Sequence, residues 1–186
     1  MRFAEWLGVR HPVIQAPMAG VQGTALAAAV SDAGGLGSLP CALLSADALR
    51  AELADLRSRT DRPFNVNFFA HTQPEPDAAM EHAWRARLEP YYRERRLDVR
   101  NISPGARRLP FNQEMADAIA ARPPAIVSFH FGLPASPLVQ QIKRGGSKVL
   151  ASATTREEAE WLQAHGADAV IAQGLEAGGH RGLFLS

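Results

Sequence analysis

Short strand-like runs alternate along this chain with longer segments whose apolar residues recur every three or four positions. The short runs are Val13–Ala16, Leu36–Leu39, Phe64–Phe68, Ala125–Phe129, Lys148–Ala151 and Ala169–Ala172. Glycine, proline and other turn formers punctuate them, so the pattern predicts six strands, the last of them buried. The intervening segments carry helix signals. Thr24 to Ala33 is alanine-rich and closed by Gly34 and Gly35, and Ser45 caps a helix with Asp47 in its first turn and Leu49, Leu53 and Leu56 on one face. Asn112 caps a helix to Ala121, stopped by Arg122, Pro123 and Pro124. Ser136 and Pro137 read as N-cap and first residue of a helix carrying Leu138, Val139 and Ile142, closed by Gly145 and Gly146. Thr155 and Glu158 have capping-box spacing ahead of Ala159 and Leu162.

Repeated strand–helix units of this kind build an α/β fold on a parallel sheet. Between His71 and Pro110 the pattern becomes polar, proline-flanked and arginine-rich, longer than an ordinary connection, and reads as a helical insertion at about 71–110 rather than a second domain. By pattern alone, six strands suit either an open doubly wound sheet or a TIM-type (βα)8 barrel truncated after six of its eight strands.

Composition narrows the class. The 186 residues are 46% hydrophobic and 21% charged with net charge +1, ordinary for one soluble globular domain. Arg93, Arg95, Arg96, Arg100, Arg107 and Arg108 are interspersed with Glu89, Glu94 and Asp98, which fits a solvated helical face and not a nucleic-acid stripe. Cys41 is the single cysteine, so no internal disulfide framework is expected, and no signal core or membrane-length segment is present. A cytoplasmic location is the expectation. His11, His71, His82 and His165 lack ligand spacing with one another, so no metal site is expected.

Candidate chemistry collects at strand ends, where the loops of parallel α/β folds open onto one face. The sixth run is followed by Gln173 and the loop Gly174–Gly182, in which Gly178 and Gly179 let backbone approach a ligand and His180 offers an imidazole. His130 follows the fourth run and suits substrate binding, support of the residue that performs it, or equally packing toward a helix. Ala16, Pro17 and Met18 leave the first run, and Asn67, in the third, carries a carboxamide with both donor and acceptor. As residues alone, a proline turn, a structural amide and a glycine turn would serve as well. Gly34-Gly35-Leu36-Gly37 lacks dinucleotide-binding spacing and reads as helix termination with close packing.

Taken in order, Gln15-Ala16-Pro17-Met18-Ala19-Gly20, Ser31-Asp32-Ala33-Gly34-Gly35-Leu36-Gly37-Ser38, Asn65-Val66-Asn67-Phe68-Phe69 and Ala172-Gln173-Gly174-Leu175-Glu176-Ala177-Gly178-Gly179-His180 resemble the N-terminal part of nitronate monooxygenases, formerly 2-nitropropane dioxygenases. That family is similar to FMN-dependent enoyl-acyl-carrier-protein reductases. The resemblance implies the barrel, with FMN as cofactor contacted by Ala16, Pro17, Met18, Asn67, Gln173, Gly178 and Gly179. It also implies His180 as a base or electrostatic partner beside the flavin. The implied reaction is oxidation of an alkyl nitronate by O2 to a carbonyl compound and nitrite, with neither nucleic acid nor membrane as partner and self-association left open. Two alternatives stand beside it: a reductase using NAD(P)H on an acyl thioester, and a non-catalytic fragment that persists with a partner. In FMN barrels the phosphate is commonly held after strands seven and eight, beyond the six runs read here, so weak FMN retention is expected.

Overall fold

The computed structural model describes residues 2–75, 77–98 and 109–185. They fall into two compact units, Met1–His71 with Leu109–Ser186, and Thr72–Arg108. In the first unit, β1 (Gly37–Pro40), β2 (Phe64–Phe69), β3 (Ile126–His130), β4 (Lys148–Ala153) and β5 (Ala169–Ala172) pair in chain order and all in parallel. A doubly wound sheet reverses its order at a switch point; this sheet never does, which is the winding of a TIM-type barrel. Among the described residues the helices are α1 (Phe3–Leu7), α2 (Thr24–Asp32), α3 (Ala46–Arg59), α4 (Ala78–Glu94), α5 (Gln113–Ala120), α6 (Ser136–Arg144) and α7 (Arg156–Ala164), of which α4 lies in the second unit.

Strand alternation sends residues to two faces. Leu39, Val66, Phe68, Val127, Phe129, Val149 and Ala151 face the helices, where Leu49, Leu53 and Leu56 of α3, Ile119 of α5, Val139 and Ile142 of α6 and Leu162 of α7 complete one buried core. On the inner face, Leu36, Ile126 and Leu150 pack with Leu7 of α1. Lys148 holds α1 there, donating to the Trp6 carbonyl with its ammonium 4.7 Å from the Trp6 ring centre. Further along, the inner face turns polar: Ser38, Asn65, Asn67, Ser128 and Ser152 are buried.

Helix starts follow their caps. The Ser45, Asn112 and Thr155 side-chain oxygens accept from the amides of Ala48, Met115 and Glu158. Gly37 shows why close packing won in the glycine cluster, since a Cβ there would lie 1.9 Å from the Ala27 carbonyl oxygen of α2.

Several expectations need correction. The first run is not a strand: it makes one parallel bridge, Ile14 to Leu36, flanked by Gln15 N–H to Leu36 O and Leu36 N–H to Val13 O, each 2.9 Å. Beyond that bridge the Gln15 carboxamide replaces the backbone, accepting from Ser38 N at 3.1 Å and donating to Ser38 O at 3.3 Å. Ser136 is the first residue of α6, not its cap; the Ala135 carbonyl accepts from Leu138 and Val139, so the helix starts one residue early. The Thr155–Glu158 capping box is half formed, because the Glu158 carboxylate turns to Thr154 instead. His130 is the last residue of β3 and pairs with Phe69. β5 is not buried: Val170 and Ile171 are each 37% exposed, because among the described residues β5 pairs with β4 alone.

In the second unit, α4 opens at Asp77, whose carboxylate accepts from the amides of Ala79 and Met80, and it carries the pairs Glu81–Arg85 and Glu89–Arg93. Such exposed pairs contribute little each. Arg93 lies in α4 and Arg95 caps it, with Arg96 next, while Arg100, Arg107 and Arg108 lie outside the described residues.

Candidate functional site

β2, β3 and β5 end at Phe69, His130 and Ala172, and their last residues build one constellation at the C-terminal edge of the sheet. The loop after β5 reaches over β4 and β3 to bring the His180 ring 5.6 Å from Phe69 of β2, centre to centre. Phe131, itself 5.1 Å from Phe69, lies 5.8 Å from the His180 ring, and both phenylalanine contacts with the imidazole are edge-on. His71 meets Phe69 and Phe131, each at 6.4 Å. Phe131 has φ of 67°, a left-handed conformation that a bulky side chain rarely adopts. That strain turns its ring back against His130, at 4.4 Å, and toward His180.

The loop is held through its backbone. Gln173 Nε2 donates to the His180 carbonyl at 2.8 Å while Gln173 Oε1 accepts from Gly182 N at 2.7 Å, so one carboxamide closes both sides of the loop. His130 Nε2 adds a second hydrogen bond to the His180 carbonyl at 3.1 Å. A carbonyl only accepts, so that nitrogen carries the hydrogen and the neutral ring presents Nδ1 as its acceptor. Burial lowers the His130 pKa below its ordinary value; the bond to the His180 carbonyl opposes this, and the neighbouring His180 ring reinforces it. Gly182 fits because it is glycine: a Cβ there would lie 2.6 Å from His130 Cε1.

The structure therefore brings Gln173, His130 and His180 together. Asn67 lies on the same inner face two residues before Phe69, its Nδ2 donating to Ser128 O and Oγ. Gly178 and Gly179 are exposed, with nothing within 4 Å of where a Cβ would sit. Ala16, Pro17 and Met18 lie at the other side of the sheet beside β1. Gln22 ties that segment down, donating to Ala16 O at 3.0 Å and Ser38 O at 3.4 Å, and Met18 is 51% exposed. Two buried side-chain oxygens in this region, Gln22 Oε1 and Asn65 Oδ1, have no hydrogen-bond partner among the described residues.

Phe131 and Gly182 carried no assigned role in the sequence. The adjacency of Phe131 to Gly132 after a strand-end histidine was the available signal, yet a positive φ at phenylalanine is not written in its residue type. Cys41, just past β1, is buried with its thiol donating to Leu39 O, and burial pushes its pKa up, away from thiolate chemistry. Among the described residues no cluster of three His, Cys, Asp or Glu side chains could hold a metal ion. A hollow of about 420 Å³ lined by Asp32, Arg57, Arg59, Thr60 and Arg62 lies where α3 leads into β2, at the opposite end of the strands from His180. No helix among the described residues is long and apolar enough to cross a membrane.

Comparison with known proteins agrees with the fold. The chain is similar to a nitronate monooxygenase of Pseudomonas aeruginosa, 46% identical over 189 aligned positions that cover 98% of this chain and 52% of the relative. Its fold superposes on nitroalkane oxidase from Streptomyces ansochromogenes with a TM-score of 0.84 at 38% identity, covering 98% of this chain and 52% of that one. FabK from Thermotoga maritima follows at a TM-score of 0.68 and 28% identity, covering 97% of this chain and 46% of that one. The chain spans about half the length of the curated relatives it matches. A family model described as nitronate monooxygenase matches residues 2–186, and by that match, over nearly its whole length, the chain belongs to the nitronate monooxygenase family.

Proposed function

We propose that the His180 face serves the oxidation of an alkyl nitronate by O2, with FMN as cofactor, to a carbonyl compound and nitrite. The observation that carries this reading is the placement of His180: its carbonyl is held twice, by Gln173 and His130, while its ring is framed by Phe69 and Phe131. A backbone fixed in this way presents the imidazole at the strand ends without tying up its ring nitrogens in the hold.

The residues present fit a flavin on chemical grounds. The two partnerless buried acceptors, Gln22 Oε1 and Asn65 Oδ1, call for N–H or O–H donors, which the ring and the ribityl chain of a flavin possess. Ala16, Pro17 and Met18, together with Asn67, Gln173, Gly178 and Gly179, would hold it, the glycines by leaving room for close backbone approach. When bound, the flavin supplies electron transfer between the nitronate and O2. An imidazole nitrogen of His180 takes a proton from a neutral nitroalkane carbon or, once protonated, holds the nitronate by charge. His130, with its donor engaged by the loop, supports His180 in this reading rather than meeting substrate itself.

The test loads the 186-residue protein with FMN and follows O2 consumption and nitrite release with an alkyl nitronate. Nitronate-dependent turnover is expected, and His180→Ala is expected to lower it on the order of a hundredfold to ten-thousandfold while leaving the circular dichroism unchanged. A yellow holoprotein that consumes no nitronate sinks the reading. A protein that never retains FMN sinks catalysis by this chain. The likeness to FabK supports a second arm, NADH with an enoyl thioester, in which cofactor oxidation without nitronate would favour the reductase.

A further inference from the structure

We propose that Glu158 is a positioning residue for His180, tethering the chain beyond the catalytic loop to the start of α7. Its side chain is fully buried, at 0% exposure, although it lies in the first turn of a helix whose neighbour Glu157 is exposed. A buried carboxylate is costly unless its oxygens find donors, and here four are supplied. Oε2 accepts from Thr154 N at 2.6 Å and Thr154 Oγ1 at 2.8 Å. Oε1 accepts from Phe184 N at 2.6 Å and Leu185 N at 3.1 Å.

Helix capping does not explain this arrangement. Thr155 already caps α7 by accepting from the Glu158 amide, so the carboxylate is not needed for the helix end. It reaches instead to residues 26 and 27 positions later in the chain. Burial pushes the Glu158 carboxyl up, and the amides of Phe184, Thr154 and Leu185 with the Thr154 hydroxyl outweigh that, leaving it below the usual carboxylate value. The charged form is therefore the one the fold holds. The Phe184 ring seals the contact against Trp161, at 5.3 Å, and over Gly132 beside Phe131.

Two clamps thus bracket Arg181 to Leu183. Gln173 grips His180 and Gly182 on one side, and Glu158 grips Phe184 and Leu185 on the other. Without the second clamp, the first must hold the loop against an untethered continuation. Glu158 touches none of the groups proposed to react, so it acts through the loop. Its effect on turnover rests on the reading of His180 above; the tether itself does not.

The test uses Glu158→Ala, Leu185→Pro and, as control, Glu157→Gln in the full chain. Leu185→Pro deletes one tethering N–H and leaves α7 untouched, so it decides the matter if Glu158→Ala does not fold. Trypsin cleavage after the exposed Arg181, at a bond whose Gly182 is buried in the parent, is followed by mass spectrometry against the exposed Arg144–Gly145 bond as internal reference. Loss of a charge-assisted bond predicts selective acceleration at Arg181 of about tenfold or more in Glu158→Ala, with faster exchange of the Phe184 amide. Glu157→Gln keeps the parent rate. In FMN-loaded protein, with turnover counted per bound flavin, kcat falls with KM little changed, whereas a smaller folded fraction would leave the rate per bound flavin unchanged. Cleavage at Arg181 no faster, relative to Arg144, than in the parent overturns the tether, whatever turnover does. Protection at Arg181 in a parent protein that oxidises no nitronate leaves the tether standing and removes the nitronate reading instead.

Discussion

Gly182 N–H and the His180 carbonyl are both bound by a single carboxamide, so the two residues on either side of Arg181 move as one piece with the end of β5. Gly182→Ala would drive a Cβ to 2.6 Å from His130 Cε1 and 3.0 Å from Nδ1. Because the ring is anchored to the His180 carbonyl, relief comes by breaking that bond. The expected cost is about 1–3 kcal/mol in denaturant unfolding, with a shifted His130 resonance in the proton spectrum. A parent-like melt and spectrum would show that the loop has slack where the geometry gives none. His130 also makes the loop pH-sensitive. Its folded pKa is lowered, so the unfolded chain takes up the proton first as pH falls. The stabilisation is full above the ordinary value of 6.5 and is lost as pH drops from there through the folded value. Trypsin cleavage at Arg181 should therefore rise as the pH is taken below 6.5, and His130→Gln, which keeps a donor but no titration, should flatten the rise. Glu158, held below its ordinary 4.5, keeps its contribution above that value and loses it as pH falls from there through the folded value.

Among the elements, the tightest constraint is where α2 crosses β1. The Gly37 amide donates to Ser31 Oγ at 3.1 Å, Ser31 Oγ donates to Pro63 O at 2.9 Å, and no side chain fits at Gly37. Gly37→Ala must push backbone away from backbone, and a loss of about 3 kcal/mol or more is expected, read as a lowered melting temperature or insoluble expression. Soluble protein with a parent-like melt would mean that α2 is free to slide. These close contacts mark what the sequence did and did not disclose. Period and punctuation located β2 through β5 and their helices within a residue or two, because hydrophobic faces and caps are local signals. Gln15 imitating a peptide against Ser38 is not local, since its partner is 23 residues away. The same holds for Glu158, whose spacing to Thr155 signalled a capping box but whose carboxylate answers to Phe184 and Leu185. The strand-end rule picked out His130, Gln173 and His180; that Gln173 binds the loop could be seen only once the loop was folded back.

At the scale of the whole molecule, the second unit leaves and re-enters the first at one place, since Phe111 N–H donates to Phe69 O at 2.8 Å. Replacing 72–108 by a short Gly/Ser linker is expected to leave the first unit folded, with stability within about 1 kcal/mol of the parent by chemical denaturation. Loss of cooperative unfolding in the shortened protein would count against it. The sheet itself leaves β5 with Val170 and Ile171 half open and no strand beyond it among the described residues. An open edge invites pairing, and symmetry restricts what pairing can achieve. A twofold axis normal to the sheet joins two copies with their inner faces continuous but their strands opposed. An axis along the strands keeps their direction and turns one inner face outward. Neither operation supplies β5 with a parallel neighbour whose inner face continues the one that carries Ser152 and Gln173. A pair of copies joined β5 to β5 therefore cannot carry the winding of this sheet forward. That takes a strand laid parallel to β5 with the same face inward, a geometry the β1 edge of a second copy has and its β5 edge lacks.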